Sequence, residues 1–468
     1  MGGIFGICSK TDCITDLYYG TDYHSHLGTK YGGLAVEDNG RFKRSIHNIE
    51  SDYFRSKFGS DLSRLKGNKG IGVISDTDPQ PLVIVSHLGK FAIVTVGKIN
   101  NLDFLIKEGF RNKTPFFESG RGEISQTGLI ASIINHENSF KEGIEKVQEV
   151  IEGSCSLILL TEKGIYAARD KLGRTPLIIG KKEGSYSVTF ETCAFPNLGF
   201  EIEKYLGPGE IVFMTSESYE QIKEPGDKMQ ICSFLWVYYG YPSSSYEDIN
   251  VEFVRYNCGA ALAKNDTNEN IKIDIVAGIP DSGTGHAHGY ANERNLPNQR
   301  PFVKYTPTWP RSFMPQNQEM RNLVAKMKLI PIKKLIGGKS ILFCEDSIVR
   351  GTQLQDTVKL LFDYGALGVH MRPACPPLIC GCKFLNFSRS RSELDLAGRM
   401  AIKELDGDDE KDLNEYSKSD SEKNIAMVEK IKQRLKLTTL KYQRLNDLVK
   451  AIGLPKEKLC TYCWDGVE

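Results

Sequence analysis

Short apolar runs with strand character dominate the first half of the chain. Residues 3–8, 32–36, 70–75, 91–96, 155–160, 165–168 and 177–180 are each bounded by Gly, Asp or Lys, and each predicts a strand. A helical period interrupts them at 125–134. From Gln230 the pattern shifts to longer helices alternating with apolar strands, the layout of an α/β unit around a parallel sheet. Helices are predicted at 255–264 and 438–452, and a strand at 273–277. The shift divides the chain into domains at 1–229 and 230–468. Residues 404–424 are acidic and rich in Ser and Lys, which predicts an exposed insertion.

One stretch carries explicit chemistry, SILFCEDSIVRGTQL at 340–354. Its apolar run Ile341-Leu342-Phe343-Cys344 predicts a buried strand, followed by the acids Glu345 and Asp346. A loop of small residues leads through Ser347, Ile348, Val349, Arg350, Gly351 and Thr352. A helix then begins at Gln353, with Leu354, Val358, Leu361 and Phe362 on one face. Loop and first-turn N–H groups converge on a site that favours an anion. Acids at the carboxyl end of a parallel strand can accept hydrogen bonds from vicinal ribose hydroxyls. The ligand implied is a ribose 5′-phosphate.

The string EDSIVRGT resembles the phosphoribosyl pyrophosphate (PRPP) motif of type I phosphoribosyltransferases. More narrowly, it resembles the DDSIVRGT of the amidophosphoribosyltransferase family, with Gln353 where that family often has a second Thr. The resemblance implies an N-terminal αββα domain of the Ntn-hydrolase kind and a C-terminal phosphoribosyltransferase domain. ARDKLGRTPL at 168–177, FETCAF at 190–195 and LGPGEIVFM at 206–214 extend it across the first half.

Where such a domain hydrolyses glutamine, the family begins Met-Cys-Gly-Ile and uses the cysteine thiol with its own α-amine as base. This chain reads Met1-Gly2-Gly3-Ile4, so Gly2 stands in the nucleophile's place, and Cys8 and Cys13 are internal. The family's His-Arg-Gly-Gln/Pro-Asp region becomes 26–30, its arginine-bearing string becomes 72–76 and its H-N-G-N becomes 95–98. The aspartate that holds the substrate's amino group falls near Gln126. Nucleophile, carboxylate clamp, oxyanion donor and amine acceptor are all changed, which predicts a domain without glutaminase activity and no side-chain nucleophile anywhere in the reaction.

In the second half, Asp281-Ser282-Gly283 follow a strand and match the family's pyrophosphate loop. Residues 305–331 resemble its closing loop, where Arg311, Arg321, Lys326 and Lys328 can meet pyrophosphate charge; a surface helix with a solvated basic face is the alternative. The resemblance implies Mg²⁺, with Asp346 as a ligand. Four of the twelve cysteines, Cys232, Cys382, Cys460 and Cys463, fall where the family's iron–sulfur branch ligates a 4Fe–4S cluster. Zinc at the same thiolates is the rival, and Cys375 and Cys380 lie close enough to confuse the assignment. Cys155, Cys193, Cys258 and Cys344 read as core residues.

Composition narrows the classes. With 40% hydrophobic and 25% charged residues, a net charge of +1 and no membrane-length apolar run, neither nucleic acid nor a membrane is the expected partner. No secretory signal pattern opens the sequence, so a cytoplasmic location is expected. The reading is an enzyme forming 5-phosphoribosylamine from PRPP at the start of purine synthesis, with ammonia free or supplied by a partner. The resemblance also implies a homo-oligomer inhibited by purine nucleotides. The alternatives are a catalytically silent PRPP or nucleotide sensor partnering an intact paralogue, and a purely structural iron–sulfur protein.

Overall fold

The computed structural model describes residues 2–111, 124–266, 271–304, 329–385 and 393–468. Each predicted strand of the first half forms, and their alternation explains the layering. In strand Gly2–Ser9, Ile4 and Cys8 enter one core while Phe5 and Ile7 enter another. In strand Gly89–Ile99, Ala92, Val94 and Val96 face the shared core, whereas Phe91 and Ile93 face outward. Period-2 side chains therefore give each sheet two buried faces.

The first sheet has seven strands, ordered Glu201–Tyr205, Ile178–Lys182, Ser185–Thr189, Gly2–Ser9, Lys69–Ser75, Tyr31–Asp38 and Arg41–Asn48. The second has six, ordered Tyr219–Lys223, Ile211–Met214, Ile165–Ala168, Gly153–Thr161, Gly89–Ile99 and Leu82–Ser86. The two sheets share one core, helix Ile14–Asp22 covers the first, and helices Gln126–His136 and Phe140–Val150 cover the second. This is the αββα sandwich. Ser125 caps the predicted helix by accepting from Gly128 N at 3.0 Å.

The second half holds a four-stranded parallel sheet, ordered Ile275–Gly278, Ser340–Glu345, Gly368–Pro373 and Thr439–Leu440. Ile341 and Phe343 pack toward helices Thr352–Asp363 and Glu422–Leu435. Leu342 and Cys344 face the opposite side, toward helices Val251–Asn265 and Thr284–Arg294. Among the described residues no helix is long and apolar enough to cross a membrane.

Two expectations are corrected. The predicted helix at 438–452 begins instead as strand Thr439–Leu440, and its helix starts at Leu445. The β-branched threonines tie it to the sheet: Val369 N donates to Thr438 Oγ1, and His370 Nδ1 bonds Thr439 Oγ1. The stretch 404–424 is exposed at most positions, as expected, and it is also ordered into helices. It carries helices Ala397–Asp406 and Leu413–Ser417 and the start of a third, with Tyr416 1% exposed and Asn424 Nδ2 donating to its carbonyl. Phe362 does not share the buried face of Val358 and Leu361; it is exposed.

The two halves meet through Glu191, a fully buried carboxylate of the first half. It accepts from Tyr246 Oη at 2.7 Å, from Tyr241 N at 3.2 Å and from Ser244 Oγ, all from the second half. His26 Nε2 lies 3.2 Å from its other side. Burial pushes the Glu191 pKa up, but the charge of His26 and the hydrogen bonds outweigh it, so the carboxyl sits below its usual 4.5. Its stabilising contribution is thus full above 4.5 and is lost as pH falls through the depressed folded value. Glu191→Ala leaves several buried donors unmatched and is expected to cost about 3–5 kcal/mol in a denaturant titration at pH 7. The difference from the unaltered chain should shrink in strong acid.

Candidate functional site

Parallel pairing brings two loops to one edge. Gly278 is the register partner of Cys344, and Ile279 N donates to Cys344 O at 3.0 Å. The loops 279–283 and 346–351 therefore leave adjacent strands side by side, each running into a helix. Ser282 Oγ donates to Glu345 Oε1 at 3.4 Å across the gap. A Cβ on Gly283 would lie 2.3 Å from Cys344 O, so only glycine allows this close approach.

The acid pair is electrostatically charged for a ligand. Burial first, then the neighbouring Asp346 carboxylate, hold the Glu345 pKa well above its ordinary value. Asp346 is 6% exposed and accepts from Ser347 Oγ at 2.7 Å. Sequence reasoning passed over a third charge here, Arg255. Its guanidinium is buried, with Nε donating to Trp236 O and Nη2 to Tyr238 O and Gly240 O. Burial lowers its pKa, against the opposing charge of Asp346. The signal was available, because Val251, Val254, Arg255, Cys258 and Leu262 follow a helical period that puts Arg255 on the buried face.

The loop after the acids is braced from behind. Ile348 is buried in the second-half core, Val349 O accepts from Ala397 N at 2.7 Å, and Arg350 pairs with Asp395 at 3.1 Å. Gly351 adopts φ +79° as the helix begins at Thr352. Thr352 is exposed at that helix start, while Asp281 is paired with Lys304 at 2.6 Å. Arg311, Lys326 and Lys328 lie outside the described residues.

The four singled-out cysteines come together. Cys232 and Cys460 are register partners in a two-stranded parallel ladder. Cys382 and Cys463 share a hydrogen bond, which, against burial, brings the Cys382 thiol down to about 7. Cys463 is raised by the same bond and then by burial, with Cys232 and Cys460 also close enough to act on it. Leu385 N donates to Cys382 Sγ at 3.3 Å. Among the described residues no three His, Cys, Asp or Glu side chains converge as ligands of a single ion. Cys375 is fully buried, and Cys155, Cys193, Cys258 and Cys344 are core residues as expected.

In the first half, the stretches expected at a glutamine site are tied to their neighbours. A Cβ on Gly2 would stand 2.4 Å from Ile74 O. Asp76 Oδ1 accepts from Thr29 N at 2.8 Å. Gln80 bridges Thr95 N and Thr95 O, and Asp78 takes Thr127 N at the start of the helix holding Gln126. Lys98 Nζ reaches away to Cys382 O at 3.1 Å.

Comparisons with known proteins agree with this architecture. A family described as a glutamine amidotransferase domain matches residues 68–195. The amidophosphoribosyltransferase of Methanothermobacter thermautotrophicus is 30% identical, over 99% of this chain and 93% of that protein. That of Bacillus subtilis is 28% identical, over 86% of this chain and 85% of its own length. The solved glutamine PRPP amidotransferase from B. subtilis, complexed with ADP and GMP, superposes with a TM-score of 0.84 at 26% identity, covering 99% of this chain and 96% of that one.

Gly351→Ala tests the bracing of the loop. The left-handed backbone costs a side chain about 1–2 kcal/mol, and the added Cβ would meet Leu435 Cδ2 at 2.9 Å. A loss of at least that size is expected by denaturant unfolding.

Proposed function

The chain belongs to the amidophosphoribosyltransferase family, and from that premise we propose that it forms 5-phosphoribosylamine from PRPP using ammonia and not glutamine. The observation that carries the transferase reading is the acid pair Glu345–Asp346 facing the 281–283 loop at the carboxyl edge of the parallel sheet. The loss of the glutaminase is supported by Gly2, where a side chain would run into Ile74 O, and by the engagement of Asp76 with Thr29, Asp78 with Thr127 and Gln80 with Thr95.

The chemistry follows from the residues. Backbone N–H groups of 347–352 receive the 5′-phosphate, and Glu345 and Asp346 accept from the ribose hydroxyls. Pyrophosphate leaves the anomeric carbon as the ammonia nitrogen bonds to it, and positive charge on the sugar is stabilised by the nearby carboxylates. Mg²⁺, when bound, would supply charge neutralisation for the leaving group, with Asp346 as its proposed carboxylate ligand. Purine nucleotides are proposed as inhibitors here, in line with the ADP and GMP bound to the B. subtilis relative.

The four cysteines are read as ligands of a 4Fe–4S cluster. Four thiols close enough to act on one another match that donor set, and zinc at the same thiolates is the rival.

Pyrophosphate release from PRPP with Mg²⁺ separates the readings. Release is expected with ammonium chloride and not with glutamine, and Gly2→Cys should not restore glutamine use. Glutamine-supported release would overturn the loss of the glutaminase; binding of PRPP without release from either donor would make the protein a sensor. A pH dependence should accompany binding. Glu345 holds its proton above the ordinary range, and hydroxyl donors or Mg²⁺ require the carboxylate. Affinity for Mg²⁺–PRPP should therefore weaken as pH falls through that raised value, with proton release measurable by calorimetry in buffers of different ionisation enthalpy. Glu345→Gln should flatten the profile.

A further inference from the structure

Two cations of the first half end at the cysteine site, and among the described residues neither forms an ion pair with a carboxylate, although Glu468 feels the charge of Arg174. Arg174 is 6% exposed. Its Nη1 donates to Gly153 O at 3.2 Å and its Nη2 to Gln230 Oε1 at 3.0 Å, both neutral acceptors. Its Nε is buried without an acceptor. A guanidinium so desolvated is costly unless an anion lies near. What surrounds it is the cysteine site. Its Cζ lies 3.6 Å from the centre of the Phe384 ring, two residues beyond Cys382. Its carbonyl accepts from Cys232 N at 3.2 Å, and its side chain acts on the Cys460 thiol by charge and hydrogen bond.

Lys98 approaches from the second sheet. Its Nζ donates to Cys382 O at 3.1 Å, and two residues on, Asn100 Nδ2 holds Lys383 O at 2.8 Å. Lys98 therefore adds positive charge at the same thiols. Both side chains project from strands or turns of the domain proposed to have lost its chemistry.

We propose that Lys98 and Arg174 are the counter-charges of the four-cysteine site, and that they raise the reduction potential of the cluster held there. The inference rests on the cluster reading. Fixed positive charge beside a cluster favours its more negative, reduced form, and net charge and hydrogen bonds to sulfur are the levers by which a protein sets such potentials. The N-terminal domain would then remain because it supplies the electrostatic wall of a site in the other domain.

The test uses the full chain purified without oxygen. Iron and acid-labile sulfide are measured first, then the midpoint potential by spectroelectrochemistry, for the unaltered protein and for K98M, R174M, K98R and R174K. Each Met variant should have a lower potential, by about 59 mV for a tenfold change in a one-electron equilibrium constant. The charge-keeping variants should stay near the original value. Loss of the cluster from the Met variants alone, with folding intact by circular dichroism, would also support the proposal. Unchanged potentials, or equal losses in charge-keeping and Met variants, would overturn it and leave the cluster reading standing. No iron or sulfide in the unaltered protein would overturn the cluster reading itself, and the proposal with it.

Discussion

A single apolar core runs through both halves of the chain, and most of the structure depends on that continuity. Ile4, Val94 and Leu177 of the sandwich share it with Leu235, Trp236 and Tyr246 of the seam and with Leu342, Leu448 and Trp464 of the second half. A four-stranded sheet with a two-residue edge strand cannot bury both faces alone. One face is covered by its own helices, and the other leans on helices that pack onto the sandwich. The second half thus needs the first for its core, whatever the first half's chemistry.

That dependence explains where buried charge is found. Glu191, Arg174 and Arg255 are all nearly inaccessible. The first two lie at the contact between halves; Arg255 ties the seam segment 236–240 to the helix beneath the acid pair. Burying a charge in a seam is unfavourable unless its partners are held in place. Such groups weaken any separated or shifted arrangement of the two halves more than apolar contacts would, since a slip of an ångström leaves them unpaired in low dielectric.

The sequence made the strands, the acid pair and the cysteine set legible because each is a local signal. Alternation in 91–96 and the apolar run 341–344 carry their own burial pattern. The acidic stretch 404–424 is exposed as its composition predicts, but the few buried residues that anchor it are not legible there. Tyr416 and Asn424 anchor it among charges that remain at the surface, and average polarity hides them. Thr438 and Thr439 were misread as helical because their strand is formed by partners about seventy residues away. Glu191, Lys98 and Arg174 lie in stretches that the sequence marks, but their roles at the seam were not legible, for their partners lie across it.

That stretch bears on the site more than its distance in sequence suggests. The loop after the acid pair needs its N–H groups fixed to receive an anion, since ordering it at binding would draw on the binding free energy. Ile348 packs in the same core as Tyr416, Met427 and Leu435. Ala397 N holds Val349 O, and Leu435 stands behind Gly351. The helices from 397 to 435 therefore form the back wall of the loop. Their core-facing residues hold the loop, while their charged faces are free to vary without touching it. A polar-looking insertion and a firmly held loop after the acid pair are two sides of one packing arrangement.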